Sequence, residues 1–146
     1  MTTPSKTRPA IVLVDDDFHS ARLMTRMLAA HGAPSSLLID DPEQAVEMLA
    51  QMAAGPNSAQ GMMAVVDLKS SSDATGDFIA RLGRVAPRLL VVAMAPSLDR
   101  ALRDALIEAG AAAVFERHAD LNAYRREVAN IVSFWVRHSR LDQFGT

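Results

Sequence analysis

Ile11-Val12-Leu13-Val14-Asp15-Asp16-Asp17 is the stretch whose reading decides the fold. Four consecutive apolar residues, three of them β-branched, predict a strand over Ala10–Val14 that is buried on both faces. A strand buried on both sides belongs to a parallel sheet sandwiched between helices. Three aspartates end the run at the carboxyl edge, where such sheets bind their ligands.

The neighbouring segments repeat the alternation. A helix is expected from Phe18 to His31, with Leu23, Met24, Met27 and Leu28 on one face and Gly32 as its stop. A second strand, Ser35–Ile39, leads to Asp41-Pro42-Glu43-Gln44, which opens a helix as an N-cap, a first-turn proline and a capping box. Val46, Leu49 and Ala50 form its inner face. Residues 54–61, centred on Gly55-Pro56-Asn57-Ser58, read as a loop. A third strand, Met62–Val66, ends at Asp67, and a serine-rich loop carries the chain to a helix over Gly76–Val85. The fourth strand is Leu89–Met94, followed by a helix from Leu98 to Ala109 with Ser97 as its cap and Gly110 as its stop. The fifth is Ala112–Phe115. A last helix from about Asp120 to Arg140 carries the stripe Leu121, Tyr124, Val128, Ile131, Val132 and Trp135. One domain over residues 10–140 is expected, with loose tails at 1–9 and 141–146.

Composition narrows the function classes. The 146 residues suit one globular domain, 49% hydrophobic and 22% charged. A net charge of -2 gives no field favouring nucleic acid or an anionic membrane. With no cysteine, disulfides and thiolate metal sites are excluded, which fits a cytoplasmic protein. The polar N-terminus lacks the apolar core of a signal peptide, and no run approaches the roughly 18 apolar residues of a membrane span. The four histidines (His19, His31, His118 and His138) have no metal-ligand spacing, and the eight methionines suit core filling.

The chemistry lies in the aspartates. Asp15 and Asp16 from the first strand and Asp67 from the third arrive at one edge of the sheet. Carboxylates packed together repel unless a proton or a cation intervenes. Mg2+ prefers octahedral oxygen coordination and keeps waters and phosphate oxygens. A carboxylate beside it can attack a phosphoryl group, giving an aspartyl phosphate on Asp67. Aspartates after strands also serve as turn formers and helix caps, and Asp17 reads as an N-cap.

The chain here resembles the response-regulator receiver family of two-component signalling. The matching stretches are residues 11–17, Val65-Val66-Asp67-Leu68 and Glu108-Ala109-Gly110-Ala111, and the likeness spans about Ala10 to Arg137. It implies a flavodoxin-like (βα)5 doubly wound parallel sheet of strand order 2-1-3-4-5. It implies Asp15 and Asp16 as an acid pair for Mg2+, Asp67 as phosphoacceptor and metal ligand, and the main-chain carbonyl of Lys69 as a further ligand. A histidine kinase or histidine phosphotransfer protein would supply the phosphoryl group, and a downstream protein would read it.

The departures from the family lie in the switch. Receivers carry Thr or Ser where this chain has Ala95, and alanine has no hydroxyl to offer a phosphoryl oxygen. They carry Lys where Arg117 stands, which keeps the charge but on a planar head that contacts phosphate differently. An aromatic residue is common where Val114 lies. Two readings follow. In one, Asp67 is phosphorylated and signals by another route; in the other, the domain is a phosphorylation-independent pseudo-receiver that docks or dimerises. Retention of three mutually repelling carboxylates favours the first.

The last helix is longer than a receiver needs, and Phe134-Trp135-Val136 cannot share one face, so Phe134 or Val136 is expected on a more exposed side, as an ordinary exposed hydrophobic near the helix end in the favoured reading, or as a homodimer or partner face in the other. Asp15-x-Asp17 faintly resembles the first motif of haloacid-dehalogenase-like phosphatases, but that motif wants Thr or Val where His19 stands. A dinucleotide site is disfavoured, because the first strand runs into carboxylates instead of a glycine loop.

Overall fold

The structure, a computed structural model, describes residues 9–33, 35–54 and 61–143, the last four through their backbone only. The turn expected at Gly55–Ser58 and most of both expected tails lie outside the described residues.

Ten elements alternate along the chain: β1 (Ile11–Asp15), α1 (Phe18–Ala30), β2 (Ser36–Ile39), α2 (Pro42–Met52), β3 (Met63–Asp67), α3 (Ala74–Val85), β4 (Leu90–Ala95), α4 (Arg100–Ala109), β5 (Ala113–Glu116) and α5 (Leu121–Gln143). The five strands form one parallel sheet in the order β2-β1-β3-β4-β5. This is the flavodoxin-like architecture, and the buried strands β1 and β3 sit at its centre.

Side chains alternate between the two faces of the sheet. Val12, Val14, Ala64, Val66, Val91, Ala93 and Ala95 join one core with residues of α2, α3 and α4. Ile11, Leu13, Met63, Val65, Val92 and Met94 join the other with α1 and α5. Full burial of β1 and β3 on both faces is why their sequences are unbroken apolar runs.

The helix ends follow local chemistry. Asp17 caps α1 by accepting from the amides of His19 and Ser20, and Asp41 caps α2 through the amide of Glu43. The cap of α4 is Asp99, which accepts from Ala101 N at 3.1 Å, in place of the expected Ser97, and the helix starts at Arg100. Gly110 ends that helix at φ +131°, a backbone conformation that favours glycine. Helix α3 begins at Ala74, two residues before the expected Gly76, which brings Thr75 inside it.

Expected stripes depart from the structure mainly at helix ends. Leu121 is exposed, and Ala21 takes the inward place in α1 that Leu23 does not. Neither Phe134 nor Val136 is exposed, which removes the sequence argument for an apolar face there. Phe134 packs between Phe115 and His138, and Trp135 Nε1 donates to the Gly61 carbonyl at 2.8 Å, fastening α5 to the start of β3. Among the described residues no helix is long and apolar enough to cross a membrane.

Candidate functional site at the carboxyl edge of the sheet

Asp15 and Asp67 are register partners on the adjacent strands β1 and β3. Their strand positions continue the α1–α5 face set by Leu13 and Val65, and both side chains are buried, at 1% and 0% exposure. Two carboxylates so placed need positive charge, and two basic side chains provide it. Arg117, just beyond β5, donates from Nε (2.9 Å) and Nη2 (2.6 Å) to Asp67 Oδ1. Its own amide donates to the Ala95 carbonyl at 2.7 Å, which holds it beside the end of β4.

The second cation is Lys69. Its ammonium donates to Asp15 Oδ1 at 2.7 Å and to the Asp67 carbonyl at 3.2 Å, and lies 3.1 Å from Asp67 Oδ2. The last contact is an ion pair without hydrogen-bond geometry, so Asp67 Oδ2 is buried and accepts no hydrogen bond, as is Asp15 Oδ2.

Asp16 behaves differently. Its two oxygens accept from the amides of Lys69 (2.9 Å) and Ser70 (3.1 Å), closing the β3–α3 loop over the end of β1. The structure thus brings Asp15 and Asp67 together and turns the Asp16 carboxylate to the backbone. Among the described residues, no three His, Cys, Asp or Glu side chains are gathered as a metal set. Thr75 fastens the same loop from within α3, its hydroxyl accepting from Leu68 N at 3.0 Å.

Burial dominates the electrostatics. Desolvation raises the Asp15 carboxyl above its ordinary pKa, the hydrogen bonds from Lys69 and Asp17 N oppose it, and the nearby Asp67 charge adds to the rise. Tyr124, buried on the same face with an unpartnered hydroxyl, is pushed far above its ordinary value, first by desolvation and then by the charges of Asp67 and Asp15. Lys69 as a side chain, Thr75 and Tyr124 are the site residues that sequence reasoning did not single out. A lysine two positions after the central aspartate of an acid cluster is the one signal that pointed to the first.

No family model matches the chain, and no curated protein matches it. Solved structures do. A response-regulator receiver domain from Rhodospirillum rubrum superposes with a TM-score of 0.72 at 17% identity, covering 87% of this chain and 93% of its own. The fold is that of receiver domains. A response regulator solved in its Mn2+-bound form gives 0.67 at 19% identity, over 88% of this chain and 94% of that one. A CheY-like protein of Pseudomonas aeruginosa gives 0.61 at 20% identity, over 88% and 94%.

Within this receiver fold, Ala95 and Val114 both belong to the α2–α3–α4 side of the sheet, opposite Asp15 and Asp67. Ala95 lines a cavity of about 300 Å3 together with Leu68, Thr75, Leu102 and Leu106, and Lys69 and Arg117 stand at its wall. The small side chain of Ala95 leaves that space open, and Lys69 and Arg117, which pair with the carboxylates, reach its wall.

Proposed function

We propose that the chain is a phosphoacceptor module of a two-component or phosphorelay system, taking a phosphoryl group on Asp67 and acting through protein contacts. The observation that carries this reading is the carboxylate pair Asp15–Asp67 at the carboxyl edge of the sheet with the Arg117 guanidinium on Asp67. A carboxylate oxygen of Asp67 would form the bond to phosphorus as the bond to the donor breaks, and the donor would leave with that electron pair. Arg117 would pass from the carboxylate to the phosphoryl oxygens and keep its charge there. Asp67 is fully buried, so access requires Lys69 and Arg117, whose side chains are 21% and 26% exposed, to part at the rim.

The donor set fits a hard divalent cation. Asp15 Oδ2 and Asp67 Oδ2 are buried oxygens without a hydrogen bond, and such oxygens suit Mg2+. Asp15 and Asp67 would hold the ion, with the Lys69 carbonyl as a further ligand and Asp16 adding charge at the rim. When bound, Mg2+ would offset charge on the transferring phosphoryl group. The Mn2+-bound structural neighbour supports a divalent ion in this fold. The partners proposed are a histidine kinase or phosphotransfer protein upstream and a protein target downstream, in the cytoplasm, with no turnover of a substrate by the chain itself.

Intact-mass measurement after incubation with acetyl phosphate and Mg2+ tests the reading. One phosphoryl adduct on the native protein, and none on Asp67→Ala, is the expected result. A native protein that gains no mass supports a second reading, a docking module indifferent to phosphate. That reading draws on the absence of a hydroxyl at Ala95 and on the pairing of both buried carboxylates with basic side chains.

A further inference from the structure

An ammonium group has three N–H donors and one positive charge. Lys69 spends its contacts on Asp15 Oδ1 at 2.7 Å, the Asp67 carbonyl at 3.2 Å and Asp67 Oδ2 at 3.1 Å. All three oxygens belong to the two residues that would hold a divalent ion. With Lys69 and Arg117 in place, the charges of Asp15 and Asp67 are matched one for one. A divalent ion added to that set would carry two surplus positive charges, at most one of them offset by the Asp16 carboxylate at the rim, and would sit against an ammonium in partly buried surroundings. The ion and the ammonium therefore exclude each other.

We propose that the Lys69 ammonium is a resident counter-ion that holds the cation place between Asp15 and Asp67, so that a divalent metal enters only by displacing it. The side chain has somewhere to go, because it is 21% exposed and borders the rim of the cavity beside Ala95. The carboxylate pair is thereby kept folded and neutral without metal, and metal occupancy becomes a competition that native Lys69 weakens. The proposal deepens the phosphoacceptor reading and rests on the same carboxylate pair, but its test is separate from phosphorylation.

The experiment is titration of native protein, Lys69→Met and Lys69→Ala with Mn2+, followed by the paramagnetic resonance of the free ion, with thermal melts in Mg2+ and in chelator. Removing the ammonium is expected to tighten Mn2+ binding by about tenfold or more. The melting temperature of Lys69→Met is expected to fall in chelator and to rise with Mg2+ far more than that of the native protein. The double variant Asp15→Asn/Lys69→Met, in which Asp67 and Arg117 balance each other, should fold without metal and bind Mn2+ weakly, and it guards against a single variant that folds poorly. Equal or weaker Mn2+ binding by Lys69→Met and Lys69→Ala than by native protein would overturn the proposal. So would a Lys69→Met melt indifferent to Mg2+, or a double variant that binds Mn2+ as tightly as Lys69→Met. Failure of acetyl phosphate to label the native protein would remove the phosphoacceptor reading and leave this one standing, provided the Mn2+ titrations behave as described.

Discussion

Replacing Arg117 with alanine should harm the protein more than neutralising the carboxylate it serves. Asp67 has a side chain 1% exposed, whereas that of Arg117 is 26% exposed, so the two partners are not equivalent when one is lost. Breaking a buried ion pair by removing one partner costs about 3–5 kcal/mol. Here Asp67 keeps Lys69 at 3.1 Å and the lost guanidinium was partly hydrated, so about 2–3 kcal/mol is the working figure for Arg117→Ala. For a domain of about 130 described residues, that corresponds to a fall in melting temperature of about 7–11 °C. Asp67→Asn leaves the orphan at the rim, where water reaches it, and should cost less than about 1 kcal/mol. The double variant should resemble Asp67→Asn, giving a coupling of about 2 kcal/mol. Urea denaturation followed by far-ultraviolet dichroism, with Trp135 fluorescence as a second probe of α5, measures all four proteins. If Arg117→Ala were no worse than Asp67→Asn, or the double variant worse than Arg117→Ala alone, the idea of a buried carboxylate sustained by this guanidinium would be wrong.

Two further outcomes follow from the same geometry. Ala95→Thr has the adjoining cavity to occupy, so stability should change by less than about 1 kcal/mol, while the lifetime of an Asp67 adduct or the affinity for a partner should change; unchanged lifetime and affinity would make the missing hydroxyl irrelevant. Asp15 is raised above its ordinary pKa mainly by burial, so the unfolded chain releases this proton at lower pH than the folded one. Its contribution to stability is therefore present below the unfolded pKa and lost as pH rises through the folded value. Asp15→Asn should accordingly stabilise the protein at neutral pH, and the gain should vanish below the ordinary carboxylate range; urea midpoints that differ equally at both ends of the pH scale would contradict the assignment.

Legibility from sequence divides along a physical line. Residues 11–14 and 63–66 report double-sided burial directly, because a central parallel strand has no solvent face and its composition must show it. Asp17 and Asp41 were legible as caps because capping is local, with the carboxylate bonding amides two or three residues on. The cap of α4 was missed because Ser97 and Asp99 both qualify chemically, and where the chain leaves β4 chooses between them.

The sequence by itself determined the alternating parallel architecture and the meeting of Asp15 and Asp67 at one edge, since these follow from periodicity and from the ends of buried strands, while the strand order came only from what the family likeness implies. Only the tertiary structure decided what those carboxylates face. Asp16 turned to the amides of Lys69 and Ser70, Lys69 reached back between Asp15 and Asp67, and Arg117 arrived from beyond β5, across about 50 residues of chain. Hydrogen bonds and ion pairs between distant segments depend on side-chain direction and on local dielectric, and neither is written in the spacing of residues along a chain.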